Sequence, residues 1–255
     1  MARDFNGSTQ YLSRAAPATG YPVSFGGWFN PDGFGGFMMA LADTAGAENY
    51  LGMSLTAVSG TLNATARNGA NFRIWTTTAG ASTGVWQHLF VVFTDATTCI
   101  AYIDGVSTGA YSDTTNTTPA GIDSLSIGVL LRSSAVAFYD GKGAETAIWS
   151  VALSALDVAS LAAGYCPLLV RPQSLVAYWP MFGRQGATLG EESWVGAFPL
   201  TDTADCPLAD HPNRIIYPSR PRIIIPAAAA ASTTYPQLER GIRGMNRGMN
   251  MGMAA

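Results

Sequence analysis

The chain is poor in the residues that most enzymes and secreted scaffolds rely on. It has one lysine, two histidines, five glutamates and three cysteines in 255 residues. Charged residues make up 12% of it, about half the usual share. Three cysteines at unrelated spacings (Cys99, Cys166, Cys206) form no disulfide framework and no zinc pattern. Cys166 and Cys206 each precede a proline and stay candidates for a pair. Glycoside hydrolysis needs two carboxyl groups facing each other across a cleft. The glutamates are Glu48, Glu145, Glu191, Glu192 and Glu239, and the adjacent Glu191 and Glu192 would point to opposite faces of a strand. No apolar run approaches the ~20 residues of a membrane span. "MARDFNGSTQ" does not read as a secretory leader. No phosphate loop, nucleotide fingerprint or nucleic-acid module is found. The expectation is a chain kept in a reducing cytoplasm or released by lysis, with neither nucleic acid nor membrane as partner and no cofactor.

What is plentiful points to β-structure. Hydrophobic residues reach 48% and glycines number 28. Low charge with Gly, Thr, Val and aromatics suits strands. In "PVSFGGWFN", Val23, Phe25 and Phe29 share one side. "GVWQHLFVVFTD" is apolar on both sides and predicts a central strand. "SLSIGVLL" alternates, with Leu125, Ile127, Val129 and Leu131 opposite Ser124, Ser126 and Gly128, which predicts a half-buried strand. Asp104-Gly105 is a strong hairpin signal, and Asn68-Gly69 and Asp140-Gly141 are further turn signals. One helix is expected in "VALSALDVASLAAG". Ser154 and Asp157 make a capping box, Leu153 and Val158 a staple, and Gly164 the stop.

Beyond this the texture changes. Seven of the 14 prolines lie between residues 199 and 236, a density that forbids a central strand or long helix. Residues 181–210 read as loops packed on the body and 211–255 as an extended arm. The arm carries a net charge of +5 and residues 1–210 carry −8. An acidic body with a basic arm can dock on a second copy of itself or on another acidic partner. "RIIYPSRPRIIIP" has short β-branched runs that suit strand addition to a neighbour's sheet. The residues expected to carry assembly are Ile215, Ile216, Tyr217, Arg220, Arg222, Ile223, Ile224 and Ile225, with Met245 and Met249 filling apolar gaps.

Four stretches, "DFNGSTQYLS", "VSFGGWFNPDG", "WQHLFVVFTD" with "AYIDG", and "AFYDGKGAETAIWSVALSALDVASLAAG", resemble the laminin-G-like jelly roll of the concanavalin A-like lectin/glucanase superfamily. The likeness covers roughly residues 2–165. It implies a two-sheet antiparallel jelly-roll sandwich, so the expected fold is all-β, with the sandwich placed at 1–180 and the one short helix and Pro-rich C-terminal arm read above added to it. Members of the superfamily bind carbohydrate or calcium, and some are glycosidases with a Glu-x-Asp-x-Glu type motif that this chain lacks. Asp4, Asn6, Asp32, Asp104 and Asp140 are the calcium candidates, although turn chemistry explains each. His88 reads as a packed structural residue. Trp28, Trp75, Tyr50, Tyr111 and Tyr139 are the candidate glycan contacts, beside the competing reading that they pack in the sheets. Related jelly rolls occur as decoration, fibre or adhesin modules on tailed-phage particles. The leading expectation is therefore a non-enzymatic structural protein of a virion, a homo-oligomer bound to a shell or fibre protein. The other is a carbohydrate-binding adhesion module that attaches to surface glycans.

Overall fold

The computed structural model describes residues 1–112, 117–183, 190–212 and 215–218. The arm residues Arg220, Arg222, Ile223, Ile224, Ile225, Met245 and Met249 lie outside the described residues, as does the side chain of Tyr111. The chain opens with β1 (Ala2–Asn6), β2 (Tyr11–Ala15), β3 (Val23–Pro31), β4 (Phe37–Ala42) and β5 (Asn49–Leu55). Next come β6 (Thr61–Asn68), β7 (Asn71–Gly80), β8 (Gln87–Phe93), β9 (Thr98–Ile103) and β10 (Val106–Ser112). They are followed by β11 (Ser124–Ile127), β12 (Leu130–Leu131), β13 (Ala135–Val136) and β14 (Asp140–Trp149). Helix α1 (Ala155–Ala162) precedes β15 (Leu175–Trp179), β16 (Gly190–Glu191), β17 (Leu200–Thr203) and β18 (Leu208–Ala209).

Two large antiparallel sheets result. The first runs β10-β9-β8-β3-β14-β1-β18, with β15 also on β14. The second runs β16-β17-β2-β11-β4-β5-β6-β7. The expected jelly-roll sandwich is what forms. Alternation along each strand fills the space between the sheets. Val23, Phe25 and Phe29 from β3 meet Leu89, Val91 and Phe93 from β8 and Leu51, Met53 and Leu62 from the second sheet. Phe90 and Val92 point the other way, into a second apolar cluster with Trp149, Val158, Leu161 and Tyr178. Thus β8 is covered on both faces, as its double-sided apolar pattern predicts. Asp104 and Gly105 close the β9–β10 hairpin with φ of 51° and 78°, the pair of positive values that a type I′ turn requires.

Helix α1 follows its capping rules closely. Ser154 accepts from the Asp157 amide while Asp157 accepts from the Ser154 amide. Leu153, Val158 and Leu161 are buried. Gly164 takes φ 92° just after the helix.

Several expectations need correction. The "SLSIGVLL" stretch is not one strand: β11 ends at Ile127 and β12 takes up Leu130–Leu131, and Ser124 and Ser126 are buried along with Leu125. The cause is that Ser124 and Ser126 share a face with their pairing partners Ala42 and Ala40, and Leu130 of β12 packs over that face once the chain turns at Gly128, where the Ser126 hydroxyl donates to the Val129 carbonyl. Asp140-Gly141 is no turn. It begins β14, pairing with Pro31 and Phe5 at Gly141. Cys166 and Cys206 are unpaired thiols, as is Cys99. The stretch read as packed loops, 181–210, contains β16, β17 and β18. Those short strands and β15 lie beyond residue 165, yet Trp179, Leu200 and Cys206 are in the central core. The sandwich therefore draws on residues past 165.

One ion cluster ties this late segment to the N-terminus. Arg3 is 7% exposed. Its Nε lies 2.5 Å from Glu191 Oε1 and its Nη1 lies 3.0 Å from Asp202 Oδ2. It also donates to the Gly190 and Cys206 carbonyls. Glu191 is buried and Glu192 exposed, so the two neighbours do face apart. Burial raises the Glu191 pKa above its ordinary value against the opposing pull of Arg3. Removing one partner of such a buried set leaves uncompensated charge, at a cost of about 3–5 kcal/mol. Arg3→Ala is expected to lose that amount in urea unfolding; a loss below ~1 kcal/mol would show that the cluster does not hold the segment.

Candidate functional site

A second concentrated set of polar side chains lies on the outer face of the first sheet, around Glu145. The β14–β3 register shifts between Ala144 and Ala147. Glu145 sits inside that irregularity with φ 54°, a left-handed value uncommon for a residue with a side chain. Such a conformation persists only where its surroundings over-determine it. Here they do. Glu145 is 3% exposed and accepts three hydrogen bonds. Tyr178 Oη donates to Oε2 at 2.5 Å. Tyr217 Oη donates to Oε1 at 2.6 Å, and His211 Nε2 lies 2.9 Å from the same oxygen. Burial, and then the charge of Glu145, push the Tyr178 and Tyr217 phenols above their ordinary pKa. Both therefore remain protonated donors. Cys166 Sγ touches Tyr178 Oη at 3.5 Å, and burial pushes this thiol up to about 12, which removes it as a nucleophile at neutral pH.

The donors come from two distant segments. Tyr178 belongs to β15, whereas His211 and Tyr217 belong to the start of the arm. That start forms a strap over the body. The Ile216 amide donates to the Gly164 carbonyl at 2.7 Å and the Cys166 amide to the Ile216 carbonyl at 3.0 Å. The two backbones run parallel at Tyr165 and Ile216. Phe182 and Trp194 flank the strap, with ring centroids 5.7 Å from His211 and 6.1 Å from Tyr217 respectively. Ile215 is partly buried against the outer cluster. Ile216 is 37% exposed, because its backbone makes the contact and its side chain points away.

Beside Glu145 is a cavity of about 10 Å³ lined by Trp28, His88, Leu161, Tyr165 and Ile215. That is room for roughly one water, not for a sugar ring. His88 is 2% exposed. It stacks on Phe90 at 5.5 Å and meets Trp28 edge-on at 5.6 Å. Burial lowers its pKa to about 3, so it is neutral at physiological pH.

The proposed glycan contacts do not converge. Tyr50, Trp75 and Tyr139 are 5%, 4% and 0% exposed. The inner-facing register of Trp75 places it in the core between the sheets. Tyr139 packs on Phe5 and Phe29, and Tyr50 is covered by Phe37 and Leu130. Among the four candidates whose side chains are described, only Trp28, half-buried at the cavity, borders a site. Among the calcium candidates, Asp32 accepts from Lys142 Nζ at 2.7 Å and Asp4 lies 3.9 Å from it. Asp104 accepts from the Gln87 side chain and the His88 amide. Among the described residues no group of three or more His, Cys, Asp or Glu is placed to hold a metal. Sequence reading passed over Glu145 and His211. The available signal was a lone acidic residue in the apolar strand "GAETAIW", which must find partners when buried.

Comparison with known proteins agrees with the fold. The family model described as concanavalin A-like lectin/glucanases superfamily matches residues 6–159. No curated protein matches the chain. Among solved structures, a putative carbohydrate binding protein from Bacteroides ovatus aligns with TM-score 0.59 and 17% identity over 79% of this chain and 57% of that one. Domain 4 of AbnA, an extracellular arabinanase from Geobacillus stearothermophilus solved with arabinotriose, gives 0.53 and 17% over 63% and 76%. A heptameric pentraxin from Limulus polyphemus gives 0.52 and 16% over 63% and 81%. At these identities the likeness is one of fold.

Two outcomes follow from the geometry. A buried hydrogen bond to a carboxylate contributes about 1.5–3 kcal/mol, so Tyr217→Phe is expected to speed trypsin cleavage after Arg214 by about tenfold or more, since 1.4 kcal/mol is a factor of ten. An unchanged rate would mean that the phenol does not hold the strap. The His88 shift sets a pH dependence. Above pH 6.5 both states are neutral at this residue. Between about 6.5 and about 3 the unfolded chain binds a proton that the folded chain refuses. Stability should fall on acidification through that window by about 1.4 kcal/mol per pH unit from this group. His88→Phe should flatten that part of the profile, and an equal slope in parent and variant would contradict it.

Proposed function

We propose that this chain, which belongs to the concanavalin A-like lectin/glucanase superfamily, is a non-enzymatic structural module of a phage-like particle, of the decoration or fibre type. The sandwich is displayed and the arm beyond Pro218 ties it to other copies or to a shell protein. The observation that carries this reading is the strap. His211, Ile215 and Tyr217 fasten the root of the arm to the body at Glu145, so the arm leaves from a fixed point. The charge division between acidic body and basic arm supports docking on other copies. A polar set of one carboxyl group held by two phenols and an imidazole suits an anchor better than a hydrolytic pair, which needs a second carboxyl group across a cleft.

The second reading is a carbohydrate-binding adhesion module. The fold it shares with the arabinotriose-bound domain supports this reading, and the burial of Tyr50, Trp75 and Tyr139 weighs against those aromatics as the contacts.

Sedimentation of the full chain against a chain ending at Pro218 separates the two. The shorter chain keeps the whole strap. The structural reading expects an oligomer for the full chain and a monomer for the shorter one. Equal masses, together with glycan-array binding by the shorter chain, would favour the adhesion reading.

A further inference from the structure

If the arm assembles copies, some surface must receive it, and the sheet edges differ sharply in how well they could. A strand at an edge presents unpaired N–H and C=O groups, which folded proteins blunt by shortness, bulges, proline or charge. The first sheet ends in β18, two residues long, and in β10, whose pairing with β9 breaks between Ser107 and Ala110. The second sheet ends in β16, also two residues long, and in β7. β7 is different. It is ten residues long, contains no proline and holds continuous register with β6 from Asn71 to Thr76.

Its outward face is also apolar where an edge is usually polar. Trp75 points inward to the core, so Phe72, Ile74 and Thr76 point outward. Phe72 is 43% and Ile74 47% exposed. On the neighbouring strand they face Arg67 and Thr65. An added strand would cover both side chains and satisfy the edge hydrogen bonds.

The sequence holds one segment of matching chemistry. "RPRIIIP" places Ile223, Ile224 and Ile225 between Pro221 and Pro226. Three consecutive β-branched residues favour an extended strand, and the flanking prolines limit the pairing to a short stretch. Reach decides which copy supplies it. The strap ends at Pro218 on the outer face of the first sheet, against Gly164 and Cys166. β7 belongs to the second sheet. Packed sheets lie about 10 Å apart, and the path must also round the β10 edge. Five residues from Pro218 to Ile223 span at most about 18 Å.

We infer that the exposed edge of β7 is the receptor for the arm, and that it takes the Ile223–Ile225 segment of a second copy as an added strand. This rests on the arm-mediated assembly proposed above. The contact is heterologous, arm to edge, so each copy offers one donor and one receptor. Repetition produces a closed ring or an open fibre.

Single cysteines in two separate populations of the full chain test it. One population carries Ile74→Cys and the other Ile224→Cys; Phe72→Cys and Thr76→Cys cover neighbouring registers. The native thiols are buried. Mild oxidation of the mixture is expected to give a disulfide-linked heterodimer. No heterodimer at any of the three positions overturns the inference. So does a link formed only within one chain that carries both cysteines, since that places the segment on its own edge. Phe72→Lys with Ile74→Lys is expected to raise the concentration for half-assembly by about tenfold or more. If those lysines leave assembly intact while Ile223, Ile224 and Ile225→Ser abolishes it, the arm works through another surface and only the edge assignment fails. If the serine variant also assembles like the parent, the arm reading itself fails.

Discussion

A carboxyl group buried on the outer face of a sheet has to be answered by donors, and the placement of Tyr178, His211 and Tyr217 is the answer to Glu145. Burying a polar group without hydrogen bonds costs several kcal/mol in an apolar environment. Glu145 is held in a left-handed backbone conformation on a long strand between β3 and β15, so it cannot turn away. Tyr178, Tyr217 and His211 fill its acceptor positions. Only one of the three is on a strand of the sandwich. The other two are brought by the root of the arm, which is why a chain segment rich in proline and isoleucine takes a defined place on the body.

The outer layer then shares its fate with the sandwich. Helix α1, the turn at Pro167–Leu169 and the strap cover Phe90, Trp149 and Tyr178, side chains that a two-layer sandwich would leave in water. Arg3 plays the corresponding part at the other edge, where it ties β16 and β17 to β1. Both devices are polar knots: one joins the N-terminal strand to residues 190–206, and the other joins His211 and Tyr217 to the middle of the chain. They explain why the folded body extends well past the residues that carry the family likeness. They also leave β7, far from both knots in the strand order, as the long edge that nothing described covers.

Local rules made much of this legible. The capping box at Ser154, the Asp104-Gly105 hairpin and the two-sided apolar run of β8 each follow from residues close in sequence, and each is found. Failures came where distant segments decide. Ser124 and Ser126 read as solvent-facing because alternation cannot reveal that Leu130 folds back over the face they share with Ala40 and Ala42. Tyr50, Trp75 and Tyr139 stood open between sheet packing and glycan contact because composition does not give register, and the structure buries all three. Gly141 read as a turn because glycine signals φ freedom, and here its φ of 136° serves close approach to β3, where a Cβ would lie 2.4 Å from the Asn30 carbonyl oxygen. Glu145 could be seen as an oddity in an apolar strand, but its partners lie 33, 66 and 72 residues away.

Amide hydrogen exchange on Glu145→Gln tests the central claim most directly. The amide side chain keeps the size of the carboxyl group and removes its charge. If Glu145 holds the strap, the Ile216 and Cys166 amides, which are bonded across the strap, exchange about tenfold faster or more, a loss of at least ~1.4 kcal/mol in local stability. The amides that pair β3 with β8 should keep their protection. Unchanged exchange at Ile216 and Cys166, or equal loss of protection in the strap and in β3–β8, would contradict the account.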